Sequence, residues 1–378
     1  MSATPFTIDI PQADLDDLHR RLEMTRWPDA MDGAGWDYGT DPVYLRELVD
    51  YWREGFDWRA QERRLNGFAN FRAEVDGVDI HCIHERGVGP NPTPLLLLHG
   101  WPSSFVQMLD LMPLLTDPAA HGGNLADSFD IVVASLPGYG FSASPTDRPM
   151  TRARMGELLH TLMTDELGYG RYGIRASDIG AGVQAQMALA HPEATTGIHR
   201  TGSSVPFLPD DLSEIEQIYI AAVNAWQEAE GAYGHQHRTN PQTLAYGLND
   251  SPVGLAAWIV EKFRVWSDCG GDVGRVFTKD ELLTNVSIYW FTQTINSSIR
   301  VYRDGSGRDT RTGIPDVPTA HLMAHEQIPN APDEWTRRFF RIDRMNQAKR
   351  GGHFLEWEQP GIVADDLRTF FHPLREES

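Results

Sequence analysis

The 378-residue sequence predicts an α/β fold with a mostly parallel central sheet, a helical insertion and an N-terminal extension. Three observations predict it. Apolar runs of strand length alternate with helical stretches through the middle of the chain, the pattern of a parallel sheet with helices on its faces. A mostly helical block, residues 206–311, interrupts that alternation. Residues 1–90 carry amphipathic helices and a hairpin before the first fully apolar strand.

In chain order, Asp14 to Arg26 and Pro42 to Trp52 read as amphipathic helices, with Leu15, Leu18, Leu22 and Leu45, Leu48, Trp52 on their apolar sides. Thr40 or Asp41 caps the second, with Pro42 in its first turn. Trp27, Trp36, Trp52 and Trp58 give this extension aromatic area to pack against a larger body. Ala69 to Val75, a turn at Asp76-Gly77 and Val78 to His84 read as a hairpin. Pro94-Leu-Leu-Leu-Leu98 suits the buried middle of a parallel sheet, and Phe129 to Ser135 and Gly173 to Ser177 are further strands. Helices are expected near Phe105 to Leu115 and over Arg152 to Leu167. In the insertion, Ser213 to Glu230, Pro252 to Trp266 and Glu281 to Tyr302 are the clearest helices. Strand signal returns at Val317 to Met323 and near Phe340 to Met345, and a last helix covers Gly361 to Phe371. The divisions are therefore 1–90, 91–205, 206–311 and 312–378, with the third a lid over the carboxyl ends of the strands.

The formal charge of -20 argues against nucleic acid and anionic membrane surfaces as partners. It does not exclude a homodimer. Cys82 and Cys269 are the only cysteines, so no disulfide framework is implied. Neither a secretory signal nor an apolar run approaching a membrane span is found. The reading is a cytoplasmic protein with no metal and no organic cofactor.

Asp178 carries the chemistry. It lies in Tyr172-Gly-Ile-Arg-Ala-Ser-Asp178-Ile-Gly180, where a strand ends in a tight turn and a helix follows, flanked by the small residues Ala176, Gly180 and Ala181. This is the nucleophile position of an α/β-hydrolase elbow. A carboxylate there points to alkylation of the enzyme by a carbon bearing an oxygen or halogen leaving group. Two other stretches stand at strand ends: His99-Gly-Trp-Pro-Ser-Ser104 and Lys349-Arg-Gly-Gly-His353-Phe-Leu-Glu356. Of 14 histidines, His353 has the loop context of a base. For the third member, Glu326 after one strand and Asp210 or Asp211 after another both qualify. An epoxide oxygen needs a proton donor as the ring opens, and the insertion offers Tyr219, Tyr233, Tyr246, Tyr289 and Tyr302. Composition does not choose among them.

The whole chain resembles the microsomal-type epoxide hydrolases, including their soluble bacterial relatives. The matching stretches are Phe6-Thr-Ile-Asp-Ile-Pro11 through Trp27-Pro28, His99-Gly-Trp-Pro102, Leu136-Pro-Gly-Tyr-Gly-Phe-Ser142, Asn249-Asp-Ser-Pro-Val-Gly-Leu-Ala-Ala257 and Arg350-Gly-Gly-His353. The resemblance implies Asp178 as nucleophile, His353 as base and Glu326 as its acid. It implies Tyr302 and Tyr233 as epoxide-activating phenols, and the backbone N–H groups of Trp101 and Ile179 as the oxyanion hole. Two departures stand out. Ala176-Ser-Asp-Ile-Gly180 replaces the usual Gly-Gly-Asp-Trp-Gly, and Ser103 replaces a usual glycine. The membrane anchor of the microsomal members is not expected here.

The implied activity is hydrolysis of a small-molecule epoxide to a vicinal diol. The lid aromatics Trp226, Phe263, Trp266, Trp290 and Phe291 suit an apolar or aryl substrate, with Trp101, Ile179, Phe263 and Trp290 the candidate pocket walls. Relatives in bacteria serve detoxification or natural-product biosynthesis, and the sequence does not choose between them. Two other readings stand beside it. A haloalkane dehalogenase uses the same Asp–His pair, and a binding protein on this scaffold needs no chemistry at all.

Overall fold

The computed structural model describes residues 3–202, 207–306, 313–325 and 329–375. Its strands are β1 (Thr4–Pro5), β2 (Asn70–Val75), β3 (Val78–Glu85), β4 (Thr93–Leu98), β5 (Phe129–Ala134), β6 (Tyr172–Ala176), β7 (Thr195–Arg200), β8 (Thr319–Met323) and β9 (Ile342–Gln347). They form one sheet in the order β1-β2-β3-β5-β4-β6-β7-β8-β9. The strands from β4 onward pair in parallel, while β1, β2 and β3 add an antiparallel edge. The order reverses around β4, which opens a crevice at the carboxyl ends of the central strands.

Leu95 to Leu98 of β4 are fully buried. Helices cover both faces of the central sheet, so these strands carry continuous apolar runs rather than alternation. Burying each such leucine contributes about 1.5–3 kcal/mol relative to exposure. β7 reads Thr-Thr-Gly-Ile-His-Arg, which an apolar pattern cannot mark, yet every residue of it is buried. Of its polar side chains, Thr195 donates to the His191 carbonyl, and His199 is held between Arg175 of β6 and Asp366.

The N-terminal helices are Gln12–Glu23 and Pro42–Glu54, and Asp41 caps the second by accepting from the Val43 N–H (2.7 Å). Leu15, Leu18, Leu22, Leu45, Leu48 and Trp52 are all buried, as the amphipathic pattern requires. The body they pack against includes the inserted helices. Thr40 donates to the Ala257 carbonyl (2.8 Å), Tyr51 to Asp280 (2.8 Å), and Arg21 to the Asp250 carbonyl (2.7 Å). The extension thus holds the insertion from outside.

Between β7 and β8, the described residues form the helices Glu214–Glu230, Ala232–Thr239, Pro241–Asp250, Pro252–Trp266, Lys279–Thr292 and Ile295–Gly305. The expected single helix from Glu281 to Tyr302 is two. Gln293 adopts φ +53 and ends the first, so Tyr302 rides on a separate, redirected helix. The stretch Arg152 to Leu167 is α-helical over Arg152–Thr161 and widens to a π-turn over Leu162–Glu166. Near Phe105 to Leu115 there is only a 3-10 turn, Phe105–Met108, and a short helix, Met112–Thr116. No helix among the described residues is long and apolar enough to cross a membrane.

Candidate active site

The elbow after β6 sets the geometry. Ser177 is extended, and Asp178 opens the helix Asp178–Ala190 with φ +50. That left-handed backbone costs an ordinary residue about 1–2 kcal/mol, and aspartate is among the side chains that tolerate it. A Cβ on Gly180 would lie 2.6 Å from the His99 carbonyl oxygen, and one on Gly100 would lie 2.3 Å from Asp178 Cβ. The turn therefore closes only with glycine at both places.

Asp178 Oδ1 accepts from the backbone N–H of Trp101 (2.9 Å), and the N–H of Ile179 also bonds this carboxylate. Asp178 Oδ2 faces His353 Nε2 at 3.5 Å. Asp178 keeps 18% of its side-chain surface, against 9% for His353, so the carboxylate is open to a small molecule while the imidazole sits behind it. Burial opposes ionisation of Asp178. The hydrogen bond and charge of His353, with the N–H groups of Trp101 and Ile179, outweigh it and hold its pKa below the usual carboxylate range. Without His353, burial meets less opposition and the pKa rises. In pH-jump single-turnover experiments, the acid limb of ester formation is therefore expected at higher pH in His353→Gln than in the parent protein.

The His353 loop is tied to the end of the inserted helix Pro252–Trp266. The His353 N–H donates to the Trp266 carbonyl (2.9 Å), and the Gly351 N–H to Asp268 (3.0 Å). The Glu358 carboxylate accepts from the N–H groups of Asp268 (2.9 Å), Gly352 (2.8 Å) and Phe354 (3.1 Å).

Above Asp178 lies an aromatic cage. Tyr233 stacks on Trp101 (centroids 5.5 Å, 9°), and Tyr302 meets Trp101 edge-on (6.3 Å, 90°). The two phenol rings lie 6.2 Å apart at 81°. Burial, with Tyr233 and Asp178 nearby, pushes the Tyr302 phenol well up, so it keeps its proton. Trp266 joins the cage at 5.0 Å from both Tyr233 and His353.

A buried polar chain braces the elbow from below. Arg175 on β6 pairs with Glu356 (2.8 Å), both fully buried, and also contacts His199 (3.0 Å) and Thr201 (2.7 Å). Glu356 accepts from Gln107 (2.6 Å), which in turn accepts from Ser103 in the oxyanion turn. His199 continues the chain to Asp366 (2.9 Å). Removing one partner of such a pair strands the other charge in the core. Arg175→Met is expected to lower unfolding stability by about 3–5 kcal/mol in a urea titration.

Asp178, His353, Trp101, Ile179, Tyr233 and Tyr302 lie together at this elbow and cage. Glu326 lies outside the described residues. Its predecessor His325 donates its N–H to the Gly351 carbonyl (2.8 Å), beside the His353 loop. The rival Asp211 is exposed and bonds Arg338 (3.0 Å), and Asp210 is exposed too. Phe263 and Trp290 are misplaced as pocket walls. Phe263 is fully buried and stacks on Phe354 (4.2 Å), because its position on the helix Pro252–Trp266 turns it behind the histidine loop. Trp290 sits under Arg21 and lines a separate cleft of ≈ 710 Å³ at the seam of extension and insertion. Sequence reasoning also missed His237. It lies one helical turn after Tyr233, on the same face, and that i,i+4 spacing was the available signal.

A carboxylate on a left-handed elbow, held by backbone donors and backed by histidine, stands at the nucleophile position of an α/β-hydrolase. Residues 3–108 match the family model described as epoxide hydrolase N terminus, and residues 93–254 match that of the alpha/beta hydrolase fold. A protein of Stigmatella aurantiaca (strain DW4/3-1) named among the epoxide hydrolases is 41% identical over 98% of this chain and 85% of its own length. Epoxide hydrolase 1 of Oryctolagus cuniculus is 31% identical over 98% of the chain and 88% of its own. The crystal structure of juvenile hormone epoxide hydrolase from the silkworm Bombyx mori superposes with TM-score 0.86 at 29% identity, covering 99% of this chain and 94% of that one. The chain belongs to the epoxide hydrolase family.

Proposed function

We propose that this protein hydrolyses an apolar or aryl epoxide to a vicinal diol through an ester of Asp178. One observation carries the reading: one Asp178 oxygen accepts from the Trp101 backbone N–H, and the other faces His353. The free oxygen, Oδ2, attacks a ring carbon. The C–O bond of the ring breaks, and its electron pair takes a proton from the Tyr233 or Tyr302 hydroxyl. Water then adds to Asp178 Cγ while His353 removes its proton. The oxyanion forms on Oδ1, where the Trp101 N–H already points, with the Ile179 N–H as second donor to this carboxyl. Its collapse expels the diol oxygen, which takes the proton held by His353, and the carboxyl left on Asp178 gives its proton to the tyrosinate, so carboxylate, imidazole and phenol are all restored. Glu326 balances the charge on His353, a role supported by the His325–Gly351 contact. Trp101 and Ile179 also form the pocket walls nearest the reacting carbon. No metal or organic cofactor enters any step.

The organisation that serves this chemistry is an extension (1–90), two core segments (91–205 and 312–378) and a lid (206–311) that supplies the phenols. Free, buried Cys82 and Cys269 suit a reducing cytoplasm. A homodimer is testable by light scattering, with a monomer mass the outcome against it.

The test is styrene oxide as substrate, with 1-phenyl-1,2-ethanediol measured by chromatography. Absence of diol would count against the reading, and bromide release from 1-bromobutane alone would favour the dehalogenase alternative. Each single Tyr→Phe change is expected to lower kcat/KM by about 10- to 100-fold, because the second phenol still donates. The double change should lose more than either alone. Equal loss in single and double variants would mean that only one phenol contributes.

A further inference from the structure

His237 has no part in the steps above, yet it stands in the same cage. Its ring is fully buried and meets Trp101 (4.7 Å, 83°), Tyr302 (4.9 Å, 72°) and Tyr233 (5.5 Å, 86°) edge-on. Nε2 accepts a hydrogen bond from the Trp258 indole (3.2 Å). Burial, with the Lys262 and Arg238 charges nearby, brings its pKa down to about 3, so the ring is neutral at pH 7. The single proton of the neutral ring is then on Nδ1. Nδ1 is buried and has no hydrogen-bond partner among the described residues. Such a group costs about 1–3 kcal/mol unless something completes it. The indole N–H groups of Trp101 and Trp266, in the same cage, also lack acceptors. The rings around the phenols therefore carry three unpartnered N–H donors among the described residues.

We propose that His237 Nδ1–H binds a second, uncharged oxygen on the substrate, such as an ether, placed next to the oxirane. His237 is then a specificity residue rather than a participant in bond breaking. The inference rests on the epoxide reading of the site. A donor that touches the substrate before and during ring opening acts on binding, so its effect belongs in KM more than in kcat.

A matched pair tests it. Phenyl glycidyl ether and 4-phenyl-1,2-epoxybutane differ only in an ether oxygen replaced by CH2 beside the oxirane-bearing carbon. The parent protein should favour the ether in kcat/KM by about tenfold, the size of one recovered buried hydrogen bond. His237→Phe keeps a ring in the cage and removes the donor, and should bring the ratio close to one through KM. Trp258→Phe deletes the bond that holds the proton on Nδ1, and should weaken the preference without abolishing it, because the ether oxygen still selects the Nδ1–H tautomer. His237→Gln retains an amide N–H and should keep part of it. A parent protein that opens both epoxides without preferring the ether overturns the inference and leaves the hydrolase reading intact. So does a preference that survives in His237→Phe. Failure of the parent protein to open either compound overturns both.

Discussion

Asp178→Ala is expected to lose styrene oxide turnover by about 10⁴-fold or more while remaining folded. The variant removes the proposed nucleophile, and among the described residues no other carboxylate is held by the Trp101 and Ile179 N–H groups. Ser177, its neighbour, cannot substitute, because it is buried and in extended backbone on the strand side of the turn. Stability should change little. Alanine is less at ease than aspartate at φ +50, but a buried carboxylate is also removed, and the two effects oppose each other. Thermal melting checks the fold and diol formation checks the chemistry. The parent enzyme adds a second readout. In a single turnover in ¹⁸O-labelled water, the oxygen entering the diol comes from Asp178, so the first diol is largely unlabelled. Label in that first diol would mean that water attacks the epoxide directly.

His353→Gln should fail differently. The carboxylate, its backbone donors and both phenols stay in place, so the ring still opens and the ester forms. Without an imidazole to take the proton, water no longer cleaves it, and steady-state kcat should fall by about 10³-fold or more. The intact protein should gain the mass of one whole epoxide, located on the peptide carrying Asp178. A protein that turns over normally, or one that gains no mass, would remove His353 from the role of base. The contrast between the two variants separates the alkylation step from the hydrolysis step, which neither does alone.

The elbow was legible because it is built from constraints that leave marks in sequence: an apolar strand, small residues where backbones touch, and an acid where the turn exposes it. Leu95 to Leu98 and Tyr172 to Ala176 could be read as buried strands for the same reason. β7 was not, since its polar residues are buried in the folded protein, where His199 meets partners that only the fold brings near, Arg175 and Asp366. The two tyrosines were identified through resemblance, because phenols on separate helices meet only after the chain breaks at Gln293. Phe263 and Trp290 show the opposite failure. Aromatic content told that the insertion was apolar, not which faces turn inward, and both rings are spent on packing.

The bonds between the His353 loop and residues 266–268 make roof and base a single mechanical piece. Lifting the insertion at that corner would carry the imidazole away from Asp178. In the proposed mechanism this is an interlock: an insertion opened there would no longer activate water. Substrate would then enter by another seam, and a cage prised apart at Trp266 would hold its ester until the corner closed again.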